Sequence, residues 1–266
     1  MFTSSIIAAD AFDFSGVMTK AWKIMLLIAA FVVLFALITF LIDRYNEKKG
    51  IDNSFSTRDL TYGAICIAVA YALSFIPVFS MPYGGSITIA STAPILLYGY
   101  YFGFRKGSIV SLVYMLLQLI QKPYIISPWS ALFDYLLPYA ALSATGLFAF
   151  NRKKYDKVIA QNGFILKTHS NFFIGVGVYF VIRYFSHILA GVLFWSSGID
   201  FMHWNGDLSG VAAWSYSAVY NGLFFVPDTL VAIIASICLL ASKSFNTFMA
   251  SKRNTLQNTN ASAKDN

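Results

Sequence analysis

The chain has 266 residues, 58% of them hydrophobic and only 12% charged, with a mean hydropathy of +0.63. A soluble domain carries about 25% charged residues, so disorder is excluded and an ordinary soluble enzyme is disfavoured. The excess of 19 Lys+Arg over 12 Asp+Glu gives +7, but these bases sit in short clusters between apolar runs, the pattern of cytoplasmic membrane loops and not of a nucleic-acid surface.

Charge-free runs in chain order predict seven transmembrane spans. Ile24–Ile42 has 19 residues, Leu60–Phe79 has 20, Ser86–Phe104 has 19 and Ser108–Gln121 has 14. Three further apolar runs carry isolated charges: 128–150 with Asp134, 170–196 with Arg183 and 211–241 with Asp228. A helix needs about 20 residues to cross the hydrocarbon, so the 14-residue run spans only if Arg105 and Lys106 snorkel. The loops between these runs alternate between base-rich and base-poor. Fifteen of the 19 bases fall on one side, which the positive-inside rule makes cytoplasmic. The amino terminus is then outside and the carboxyl terminus inside.

The first run is longer than a signal-peptide core of 7–15 residues and lacks a strongly basic start, so it reads as an uncleaved anchor. Residues 1–58 form an extension with this helix and a basic loop, 59–242 a six-helix domain, and 243–266 a polar cytoplasmic tail. Cys66 and Cys238 both lie in apolar stretches and read as buried thiols, not a disulfide or metal pair.

Ionisable groups inside a membrane are costly and mark function by default. Asp134, Arg183, His187 and Asp228 are such groups here. Arg183 and His187 are four apart and share a helix face. The orientation puts Asp134 and His187 in outer halves of their spans, near Trp195, Tyr216 and Asn221. Two readings stand for Arg183, a structural ion pair with Asp228 or Asp134, or part of the site. Trp195, Trp204 and Trp214 read equally as belt aromatics at the interface.

Several chemistries lack their motifs. No G-x-x-x-x-G-K-[ST] is present, so no P-loop binds ATP. No H-E-x-x-H or Cys-x-x-Cys suggests zinc, and no G-x-S-x-G suggests a serine hydrolase. Neither a cofactor nor an enzymatic activity is expected.

The segment Ala64-Ile-Cys-Ile-Ala68-Val-Ala-Tyr-Ala72-Leu-Ser-Phe-Ile-Pro77 resembles the first core helix of the vitamin-capturing S-components of energy-coupling factor (ECF) transporters. The chain beyond Pro77 is similar to their thiamine-specific branch. The matching stretches are Gly84-Gly85-Ser86-Ile87-Thr88, Pro94-Ile95, Arg105-Lys106-Gly107, Tyr114-Met-Leu-Leu-Gln118 and Asp134-Tyr135-Leu-Leu-Pro-Tyr139. Two later runs match as well, Arg183-x-x-x-His187-x-x-x-Gly191-x-x-x-Trp195 and Tyr216-Ser217-x-x-Tyr220-Asn221.

The resemblance implies an all-α integral membrane protein, with a six-helix S-component core plus one extra amino-terminal helix, in a bacterial cell membrane. It implies that Asp134, Tyr135, His187, Trp195, Tyr216 and Asn221 line a thiamine pocket near the outer face. Asp134 stands where the family typically has a glutamate, and Met81 and Tyr83 where it has a tryptophan. The implied partners are thiamine, a membrane coupling subunit, two ATPase subunits and membrane lipid, with no nucleic acid. Ala64, Ala68 and Ala72, at i, i+4 and i+8, form a stripe on one helix face that the resemblance assigns to the coupling subunit. The alternatives are an S-component for another vitamin or precursor and a proton-coupled secondary transporter.

Overall fold

The computed structural model describes residues 14–48, 55–82, 84–121, 125, 127–161, 163–195 and 210–249. Helix α1 (Phe14–Lys48) precedes α2 (Thr57–Ser74), a small antiparallel hairpin of β1 (Pro77–Ser80) and β2 (Ser86–Thr88), α3 (Ala93–Phe102) and α4 (Phe104–Ile120). A composite helix α5 (Pro128–Phe148) follows, then α6 (Arg152–Ala160), α7 (Ser170–Trp195), α8 (Val211–Leu240) and a short α9 at 243–249. Among the described residues, four helices are long and apolar enough to cross a membrane: α1, α5, α7 with its leading 3-10 turn, and α8.

The expected charge-free runs differ from the helices in their bounds. The run 60–79 breaks after Ser74 and turns into β1, and 86–104 splits into β2 and a ten-residue helix. Ten residues rise only about 15 Å, half the hydrocarbon thickness. All of α3 except Pro94 is buried, so its apolar sequence reflects a place inside the bundle and not against lipid. Gly103 divides α3 from α4 in a left-handed conformation, φ 89°, that a residue with a Cβ rarely adopts.

Local chemistry sets the helix ends. Ser56 and Asp59 form a capping box that starts α2, each side chain accepting the other residue's backbone N–H. The Asp59 carboxylate, fully buried, also takes Lys106 Nζ at 2.7 Å. Arg105 pairs with Asp43 of α1 at 2.9 Å. The same end of the bundle carries Tyr100 on His169 Nδ1 (3.0 Å) and Tyr101 donating to Asn246 Oδ1 (2.6 Å). Asn246 lies in α9, so 243–249 is a helix docked on the bundle and not part of a loose tail: the Asn246 amide donates to the Leu240 and Ser242 carbonyls. The remaining residues of that expected tail lie outside the described ones.

Both cysteines are free. Cys66 is half-buried, but Cys238 lies on an exposed face of α8, where a thiol in an apolar stretch needs no protein cover if lipid supplies it.

Candidate functional site

The hairpin end of the bundle holds a cavity of about 260 Å³. Its walls come from the tips of α2 and α4, the hairpin, α5, α7 and α8, and it is lined by Asp134, Tyr135, Tyr139, Arg183, His187 and Asn221 among others.

Asp134 reaches it from an irregular stretch. Ser127 caps α5 and Pro128 opens its first turn, after which Ala131–Leu136 widens into a π-helical segment. The cause lies four residues beyond Asp134. Pro138 has no N–H to give the Asp134 carbonyl, and its ring would collide with that carbonyl in a regular helix. The extra residue per turn relieves this, and Leu137 N–H bonds back to Leu132 O instead. Such π segments occur often at functional sites. Ser186 of α7 secures the turn by donating to Phe133 O at 2.6 Å.

From α7, His187 Nδ1 lies 3.0 Å from Asp134 Oδ1, and Arg183 Nε lies 3.4 Å from His187 Nε2. A guanidinium can only donate, so Nε2 is the acceptor. Nδ1 then carries the proton and donates to Asp134, which leaves His187 neutral. Arg183 also donates to Tyr179, lies 3.7 Å from Asp228 Oδ2 and stacks 4.8 Å over the Phe225 ring. Of the two partners left open by the sequence, the guanidinium takes Asp228. That carboxylate is held in turn by the Thr88 backbone N–H and hydroxyl, both at 2.9 Å, so the hairpin is tied to the middle of α8.

Asn221 points its amide nitrogen into the helix interface, donating to Ser217 O (2.9 Å) and His187 O (3.1 Å). Its oxygen is the atom left to serve a ligand. The interface works because Gly191 faces it. A Cβ there would lie 2.1 Å from Ser217 Oγ and 3.1 Å from Asn221 Nδ2.

The structure therefore brings Asp134, Tyr135, His187 and Asn221 to one cavity, with Arg183 and Asp228 in its wall. Tyr216 does not line it. It stacks on Tyr220 at 6.2 Å, and Tyr220 takes the lining position, donating to Gly84 O at 3.2 Å. Trp195 ends α7, but its side chain, like Tyr83 and Trp204, lies outside the described residues. Trp214 is exposed and tilted against Phe185, as a belt aromatic would be. Ala64, Ala68 and Ala72 are all exposed on α2, so no helix among the described residues covers the stripe.

Sequence reasoning missed Thr88, Ser91, Gln118 and Tyr220, which also line the cavity. Gly84-Gly85 after Pro77 was the available signal, a turn between two short extended segments.

Among the described lining residues, two carboxylates face one guanidinium, and His187 is neutral. The cavity wall thus holds one more carboxylate than guanidinium, with spare acceptors on Asp134 and Asn221 and aromatic faces around them. Such a site suits a compact cation with N–H donors.

Comparison with known proteins points the same way. The family model described as thiamine transporter protein matches residues 60–248. A thiamine transporter, ThiT, of Bacillus subtilis (strain 168) is 30% identical over 180 residues, which cover 66% of this chain and 86% of the relative. A solved structure of ThiT from Listeria monocytogenes is similar with a TM-score of 0.54 and 29% identity, over 70% of this chain and 94% of that one.

Proposed function

The chain belongs to the thiamine transporter family, and from that premise we propose that the cavity at the hairpin end captures thiamine from outside the cell. The observation that carries this reading is the uneven charge of the wall, two carboxylates against one guanidinium around a neutral histidine. Thiamine brings a delocalised thiazolium cation, which neutralises the excess and is attracted to aromatic faces by about 0.5–2 kcal/mol when desolvated. Its aminopyrimidine brings N–H donors for the free Asp134 and Asn221 oxygens, a directional match. Tyr135 and Tyr220 supply faces inside the cavity. Tyr216, stacked on Tyr220, backs that face.

Release and transport then depend on partners. The protein works as an ECF-type substrate-binding subunit, with a coupling subunit docked on Ala64, Ala68 and Ala72 and two ATPases supplying the energy. Small residues let helices approach closely where lipid offers no hydrophobic gain, and the exposure of this stripe supports the assignment. The amino terminus is outside and the carboxyl terminus cytoplasmic, as the base distribution indicates. The protein carries out no covalent chemistry.

Calorimetry of the purified protein with thiamine, and with riboflavin as a neutral control, tests the ligand. Tight thiamine binding without riboflavin binding is expected, and the reverse would overturn the assignment. Ala68→Trp tests the partner: thiamine binding by the isolated protein should persist while uptake and co-purification with the ATPase module are lost. Accumulation of thiamine by the protein alone in proteoliposomes, collapsed by an uncoupler, would make it a proton-coupled carrier instead.

A further inference from the structure

Helix α1 lies before the region that the family model matches, 60–248, yet it meets the element that carries Asp134. Its covered positions recur at helical spacing, Ile24, Ile28, Phe31/Val32, Phe35 and Thr39, and end at the buried Asp43. The remaining faces, with Val33, Leu34 and Leu37, are exposed. Ile24, Ile28, Phe31 and Val32 pack on a small buried cluster of Met115, Ala131 and Leu136. Ala131 and Leu136 are the first and last residues of the π segment. Tyr135 and Tyr139, both of which line the cavity, pack against that cluster too.

The height of α1 is fixed separately. Asp43 holds Arg105 at 2.9 Å at the opposite end of the bundle, so the helix cannot slide along its axis without breaking a mostly buried ion pair. A π segment is a rarely stable backbone form. Pro138 sets the widened turn itself, and the α1 packing behind Ala131 and Leu136 sets where that turn sits; without it the segment could shift and carry Asp134 away from His187.

We propose that α1 is a positioning element of the ligand site, pressing on the back of the π segment and so holding Asp134 and the tyrosine wall in their binding arrangement. This rests on the ligand reading above, and the test separates the two.

The test compares three forms of the full chain: wild type, Ile28→Ala/Phe31→Ala on the covered stripe, and Val33→Ala/Leu37→Ala on the exposed face. The covered-stripe variant should lose thiamine affinity at least about fivefold, since loosening a supporting shell spoils site geometry. Amide hydrogen exchange across 131–136 in the ligand-free protein should speed up in it, and the exposed-face variant should change neither reading. Ile28→Val/Phe31→Leu should change both readings in the same direction by less, and it replaces the alanine pair should that fail to fold. Reduced thermal stability with affinity and exchange at 131–136 unchanged would overturn the proposal, leaving α1 a plain anchor. If wild type binds no thiamine, the ligand reading falls, and the exchange result alone decides: faster exchange supports the buttress and unchanged exchange sinks it.

Discussion

Both ends of this bundle bury charged and polar side chains, and they use them differently. At the end away from the hairpin, Lys106 and Asp59 meet at 2.7 Å, and His169 and Asn246 have no exposed surface. His169 meets Tyr100 and Asn246 accepts from Tyr101, and none of these groups lines the cavity. At the hairpin end Asp134 keeps one oxygen clear of His187, Asn221 commits only its nitrogen, and both face open space. Polar burial by itself therefore does not mark a site. What marks one is a group whose bonding is left incomplete toward a cavity, because completing it is what a ligand can supply.

The largest expected effect tests the closed end. Lys106→Met leaves the Asp59 carboxylate buried without its partner, which costs about 3–5 kcal/mol. Thermal unfolding should shift down strongly, while the protein that remains folded should bind thiamine within about twofold of wild type, too small a change to need any role in the site. A large affinity loss there would erase the distinction between the ends. Gly191→Ala comes next, because its methyl would sit 2.1 Å from Ser217 Oγ. Overpacking of this kind costs about 1–3 kcal/mol, and the forced shift of α7 against α8 should lower stability and affinity together.

Asp134→Asn should act on affinity alone. Binding should weaken at least about tenfold, or about 1.4 kcal/mol, with little change in unfolding temperature, since this side chain is one-third exposed. Unaltered calorimetry in a folded variant would turn Asp134 into a structural partner of His187 and make the two ends alike. The smallest effect belongs to Tyr220→Phe, which deletes one hydrogen bond to Gly84 O. A neutral bond is worth about 0.5–1.5 kcal/mol, and dissociation of thiamine in stopped flow should quicken by a few-fold at most.

Part of the site was legible because its signals are local or nearly forbidden. Arg183 and His187 share a face by spacing alone, and an ionisable group in an apolar run invites a functional reading wherever it falls. The failures have one cause in common. A charge-free run says that water is absent, not what replaces it. For α3 the replacement is protein on nearly every side, so an apolar run there reports cover by its neighbours and not contact with lipid. The exchange of Tyr216 for Tyr220 in the lining has a similar origin, since two tyrosines four apart on one helix face cannot be told apart until the neighbouring loop is in place.

By itself the sequence determined the apolar class, the family, the clustering of its bases and the positions where charge enters the bundle, because all of these depend on composition and short-range order. Even the π segment has a local cause in Pro138. Only the tertiary structure decided which charges meet. Asp228 takes Arg183 and Thr88, Asp134 takes His187, and α1 lies against the Asp134 segment from a distance of about a hundred residues in the chain. These choices arise from helix register and close packing between elements remote in sequence, where a shift of one residue turns a side chain by about 100° and exchanges one partner for another.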